Sequence, residues 1–222
     1  MMSILGLASI GLILAHSVVL YLTIYKGIEL RAMQLAFHLD LEGNIPTVFS
    51  TLLLFFIGVL CLLVYTHERN EGGKDRFWLI LALIFTFLAF DEGGQLHEKL
   101  INPFRGSMGN AEGEHGILYF AWVIPYGVIC LVVGVVLFKS WLKLPAKTKY
   151  SFLISGMVYL TGAIGMELIG GVIVEDLGFA DPLYAGIVTI EESIEILGIL
   201  LFTYTLLDHL RSRVRSIPIE FY

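Results

Sequence analysis

The sequence predicts an all-α, polytopic integral membrane protein with six transmembrane helices, and three observations carry that prediction. Of the 222 residues, 57% are hydrophobic and only 15% are charged, whereas a soluble domain carries about 45–50% apolar and about 25% charged residues. The mean hydropathy is +0.81. Six runs approach or exceed the roughly 20 apolar residues that cross a bilayer, at about residues 4–25, 46–66, 77–96, 117–141, 150–174 and 184–207, within a single domain over 1–222.

The first run begins at the N-terminus but lacks the basic leader and small-residue cleavage site of a secretory signal, so it is expected to be retained. In the loop after it, Leu30, Met33, Phe37 and Leu41 recur at near-helical spacing, which predicts a short interfacial helix. The alternation of Phe37, Leu39 and Leu41 leaves an extended segment open. Asn44 and Pro46 suit the start of the second span, and Gly72-Gly73 turns the chain into the third. Pro125, inside the fourth span, removes a backbone donor and predicts a kink near Ala121. Gly156, Gly162, Gly165, Gly170 and Gly171 give the fifth span small faces, suited to a homo-oligomer or a larger membrane complex.

Orientation follows from the loop cations. Arg69, Lys74, Arg76, Lys139, Lys143, Lys147, Lys149, Arg211, Arg213 and Arg215 fall on one side of a six-span layout. Only Lys26, Arg31, Lys99 and Arg105 fall on the other. The positive-inside rule then places both termini in the cytoplasm, with the chain multi-pass in the cell (inner) membrane.

Several function classes are excluded. There is no basic stripe for nucleic acid, and HExxH, GxSxG and P-loop patterns are absent. Cys61 and Cys130 lie inside spans and read as small buried apolar residues. Trp78, Trp122, Trp141, Tyr150 and Tyr184 fall near span ends, as an aromatic belt does. His38 and His115 fall on the outer loops, where solvation is expected.

The chemistry lies in the intramembrane acids. The third span ends in Asp91-Glu92-Gly93-Gly94-Gln95-Leu96-His97-Glu98, the fifth contains Glu167, and the sixth contains Glu191, Glu192 and Glu195. At about 1.5 Å per residue, these groups share the middle-to-outer part of the bilayer, with His16 near the same level. On a continuous helix Asp91, Gln95 and Glu98 align, while Glu92 and His97 diverge unless Gly93-Gly94 loosens the turn. An ionised group at mid-bilayer costs about 2.5–3.5 kcal/mol on insertion scales, and no Lys or Arg lies at this depth. The acids must therefore be protonated, line a wet cavity or bind a cation.

Clustered carboxylates with histidine suit a metal site in a helical bundle. The leading expectation is a divalent metal or di-metal centre (Fe or Mn) doing redox or hydrolytic chemistry on a lipophilic substrate. Its first candidate ligands are Glu92, Glu167, Glu191 and Glu195, followed by Asp91, Glu192 and His97, and last by His16. No span contains the Glu-x-x-His pair of ferritin-like di-iron proteins. The same acids could instead serve a proton- or cation-coupled transporter, and a third reading is a non-catalytic accessory subunit of a larger complex. The Asp-Glu-x4-His-Glu helix end and the later Glu-Glu-x2-Glu helix, in a six-span layout, resemble those of uncharacterised prokaryotic multi-pass membrane proteins; that resemblance implies no particular activity.

Overall fold

The computed structural model describes residues 1–41, 43–107 and 115–213, and these residues are helical without strands. The helix α1 (Met2–Lys26) leads through α2 (Arg31–Phe37) to α3 (Ile45–Asn70) and α4 (Phe77–Gly94). A short α5 (Ile101–Ser107) precedes α6 (Val123–Leu142), α7 (Ala146–Leu160), α8 (Glu167–Leu177) and α9 (Pro182–Arg213). Among the described residues, five stretches are long and apolar enough to cross a membrane: α1, α3, α4, α6 and the continuous α7–α8 run. Although α9 is equally long, it carries the three glutamates and is not among the five.

The distribution of side chains is that of a protein built for lipid. Ile4, Leu7, Ile10, Leu14, Val18, Tyr21 and Tyr25 form an exposed stripe on α1, while Ser9 and His16 are buried on its other face. Water would penalise this arrangement, whereas lipid accepts it, because polar groups there must find partners inside the bundle. Packing and interhelical hydrogen bonds then hold the helices together, without the water-expulsion term of a soluble core.

The α3–α4 hairpin forms the core, with Leu54, Ile57, Cys61 and Val64 against Trp78, Leu81 and Phe85, and with Ile199, Phe202 and Leu206 of α9 completing it. Asn44 caps α3 by accepting from the Thr47 N–H at 3.1 Å, and Pro46 sits in the first turn, as expected. A short helix, α2, forms in the segment where one was expected, over Arg31–Phe37. The cationic segments meet at one end of the bundle: Asp75 accepts from Ser140 (2.9 Å) and Lys143 (3.1 Å), and Lys147 pairs with Asp208 at 2.8 Å.

Two local expectations are corrected. Pro125 does not kink a helix, because α6 starts only at Val123 and proline in the first turn sacrifices no hydrogen bond. The fifth span is interrupted by a π-helical turn at Thr161–Met166, between α7 and α8. An extra residue in a turn rotates the rest of the helix by about 100°, so this turn helps set the direction of Glu167. Two glycines of this span, Gly162 and Gly171, admit close neighbours within the chain. A Cβ on Gly162 would lie 2.6 Å from Glu195 Cγ and 3.0 Å from the Glu191 carbonyl oxygen. At Gly171 a Cβ would lie 3.0 Å from that of Tyr119.

Candidate functional site

Helix α4 ends because Gln95 adopts a left-handed conformation (φ 52°), with its N–H returning to the Asp91 carbonyl. The continuous helix that would have aligned Asp91, Gln95 and Glu98 is therefore not formed. The chain folds back instead, so that the His97 N–H donates to Asp91 Oδ1 at 2.9 Å and the His97 Nδ1 lies 3.2 Å from Asp91 Oδ2. Tyr126, one turn into α6, donates its hydroxyl to Asp91 Oδ1 at 2.7 Å. The Asp91 side chain is thus buried with several partners, which is what a carboxyl needs in order to stay in a low-dielectric interior.

Opposite this turn, Glu167 opens α8 and accepts from the Trp122 indole at 2.8 Å. The Glu191 side chain of α9 lies beside it. Two carboxyl groups so placed form a hydrogen bond when a proton lies between them. The His97 ring packs on Trp122 at 4.8 Å between centroids, and Trp122 stands edge-on to Tyr126 at 5.1 Å.

These groups line one end of a cavity of about 1050 Å³. It follows α4 from Phe77 to Glu92, a rise of roughly 22 Å. At the cation-rich end its walls are apolar, among them Phe77, Trp141 and Phe152. At the other end it is bounded by Asp40, Asp91, Glu92, Glu98, Glu167, Glu191, Glu192 and Glu195, together with His97. No Lys or Arg is among the described lining residues. The α6 wall touches the bundle lightly, chiefly along α4, and exposes much of its apolar surface.

Of the residues singled out by sequence, the structure brings Glu92, Glu167, Glu191, Glu195, Asp91, Glu192 and His97 to this one cavity. It does not bring His16. Nε2 of that ring is 3.0 Å from Thr189 Oγ1, and Nδ1 accepts the Leu39 N–H at 3.1 Å. With both nitrogens engaged, His16 staples α1 to α9 and to the segment before α3. Among the described residues, no group of three or more His, Cys, Asp or Glu side chains is arranged to hold a metal ion.

Sequence reasoning misses Asp40, Trp122, Tyr126, Tyr159 and Tyr184 as lining residues. Trp122 and Tyr184 read as belt aromatics, yet both are buried. Their positions near span ends carry no signal that would separate the two roles. Asp40 is solvent-exposed at the cavity wall; desolvation by the protein around it pushes its carboxyl above the usual range, opposed by His38 and reinforced by Glu98. His38 is not simply solvated, since its ring packs edge-on against His16 at 4.9 Å, and burial lowers its basicity against the pull of Asp40. Nor is His115: its side chain is almost enclosed, and its N–H and that of Gly116 both donate to Glu175.

No curated protein and no solved structure matches the chain. One family model does, and it covers residues 4–210. The chain therefore belongs to the family described as a domain of unknown function, DUF8692.

Proposed function

We propose that this protein is a proton- or cation-coupled membrane carrier of a lipophilic substrate, in which the cavity carboxyl groups load and release the coupling ion. One observation carries the reading: a lipid-sized cavity runs along most of α4, and its acids gather at one end with no lysine or arginine among the described lining residues. The neighbouring Glu167 and Glu191 carboxyls can hold a proton between them, and intramembrane carboxyls of this kind mark ion paths. In this reading α9 is the sixth span. Both termini are cytoplasmic, in the cell (inner) membrane, because the cation-rich end of the bundle follows the positive-inside rule. Loosely held α6 and the π-helical turn before Glu167 are the elements suited to move. The test is flux of a lipophilic tracer into liposomes containing the purified protein, with and without a pH gradient. Flux should follow the gradient and disappear in Glu195→Gln; flux indifferent to both sinks the carrier.

A second reading, metal-assisted redox or hydrolytic chemistry on a lipophilic substrate, is favoured by the Asp91–His97 pair. A carboxylate that fixes one imidazole nitrogen is the usual support of a metal-bound histidine. The surrounding acids would have to close in to complete a ligand set. Elemental analysis of protein purified after growth with iron and manganese decides it: stoichiometric metal lost in Glu167→Ala supports the centre, and metal near zero removes it.

A further inference from the structure

We infer that the cavity takes a lipophilic organic cation, with an amine or quaternary ammonium head among the acids and its hydrocarbon part in the apolar arm between α4, α6 and α7. This deepens the carrier reading, on which it rests, by naming its substrate class.

Size and shape come first. Ligand pockets typically span about 300–1000 Å³, and this one, at about 1050 Å³, is large and elongated. Its long arm is lined by side chains such as Ile80, Ile84, Val133, Leu137, Leu153 and Met157, which offer dispersion contacts to a chain and no hydrogen bonds. Such an arm accepts an alkyl or aryl tail and leaves orientation to the other end.

Charge then selects the head. The acidic end presents eight carboxyl groups and one imidazole, without a lysine or arginine among the described lining residues. An anionic phosphate, sulfate or carboxylate head would meet only like charge there. A cationic head can instead displace a proton from the carboxyl set, keeping the charge of the cavity constant: one cation enters as one proton leaves. That exchange is the coupling the carrier requires.

Geometry separates an organic cation from a metal ion. A metal needs several lone pairs converging at about 2 Å, and no described group is so arranged. A substituted ammonium is bulky and weakly hydrated. It is satisfied by diffuse negative potential and aromatic faces within about 6 Å. Trp122 and Tyr126 line this end of the cavity, each held by a hydrogen bond to a carboxyl group, Glu167 and Asp91 respectively. Those hydrogen bonds hold the two rings beside the carboxyl groups.

The test uses the full-length protein in nanodiscs of zwitterionic lipid, with empty discs subtracted for partitioning. Dodecyltrimethylammonium is the probe, and dodecanoate and dodecanol are the chain-matched anion and alcohol, all below their aggregation limits. Binding is read from tryptophan fluorescence, since Trp122 and Trp141 line the cavity. The expected result is at least tenfold tighter binding of the cation than of either control, with release of about one proton. The double variant Glu167→Gln/Glu191→Gln should lose at least tenfold in cation affinity and keep its affinity for dodecanol. Equal affinities across the series, or preference for the anion, overturn the inference. The series on the unaltered protein decides this even if the double variant fails to fold. Cation-selective binding without proton-coupled flux removes the carrier and leaves the site, whereas proton-coupled flux with anion-selective binding does the reverse.

Discussion

Asp91 holds His97 at two points, through its backbone N–H at 2.9 Å and its ring Nδ1 at 3.2 Å. This one carboxylate closes the turn after α4 and orients the imidazole, and with the Tyr126 hydroxyl it also ties α6 to that turn. Asp91→Ala leaves these donors without their acceptor, at a cost of about 1–3 kcal/mol. Asp91→Asn keeps an acceptor oxygen for the His97 N–H or Tyr126 and should recover part of that loss while still impairing flux. Thermal unfolding in detergent, paired with liposome flux, separates the two effects. Equal stability of Asp91→Ala and the unaltered protein would refute the structural role.

Gly162 lets α7–α8 approach α9 where Glu191 and Glu195 project. Because a Cβ there meets Glu195 and the Glu191 backbone at 2.6–3.0 Å, Gly162→Ala must push the helices apart, costing about 1–3 kcal/mol. At Gly127, in α6, an added Cβ would have nothing within 4 Å, so Gly127→Ala is expected to be neutral or slightly stabilising through helix propensity. Unfolding midpoints of the two variants should therefore differ clearly. Similar midpoints would refute the close-packing account.

His16→Ala removes the acceptor of the buried Leu39 N–H and the link to Thr189. A stability loss of about 1–3 kcal/mol results from leaving a buried donor unpaired. Affinity for dodecyltrimethylammonium should be unchanged, because His16 does not line the cavity. A large drop in affinity in protein that remains folded would return His16 to the site.

Two loop carboxyls predict opposite pH responses. Burial disfavours the Asp75 charge, but hydrogen bonds from Ser140, Lys143 and the Phe77 N–H together outweigh it and hold the carboxyl below its usual range. Such a group stabilises the fold above its unfolded pKa of about 3.9, and that contribution disappears as pH falls through the lower folded value. Asp75→Asn should flatten this acid limb and cost about 0.5–1 kcal/mol near neutrality, as exposed ion pairs do. For Asp40 the folded value is raised, mainly by burial, so its contribution is present at low pH and lost as pH rises through that value. Asp40→Asn should remove this loss. Unfolding midpoints measured between about pH 3 and 8 check both signs, and an unchanged acid limb in Asp75→Asn refutes the first.

The helices were legible because apolar runs, Asn44 with Pro46, and Gly72-Gly73 are local signals. The acids were legible as one group because charged side chains in lipid have few places to go, so similar depth already implied a shared interior. What escaped detection depended on contacts distant in sequence or on small changes of backbone phase. His16 finds Thr189, 173 residues away. Trp122 and Tyr126 look the same in sequence whether they face headgroups or donate to Glu167 and Asp91.

By itself, the sequence determined a helical protein with runs long and apolar enough to cross a membrane and with acids set inside them away from any Lys or Arg, since hydropathy and the cost of burying charge depend on residue type and order alone. Only the tertiary structure decided which side chains share the cavity. The left-handed Gln95 turns His97 back onto Asp91, the π-helical turn helps to aim Glu167, and Gly162 admits Glu191 and Glu195. Those are matters of direction and close approach, which emerge only when the helices pack.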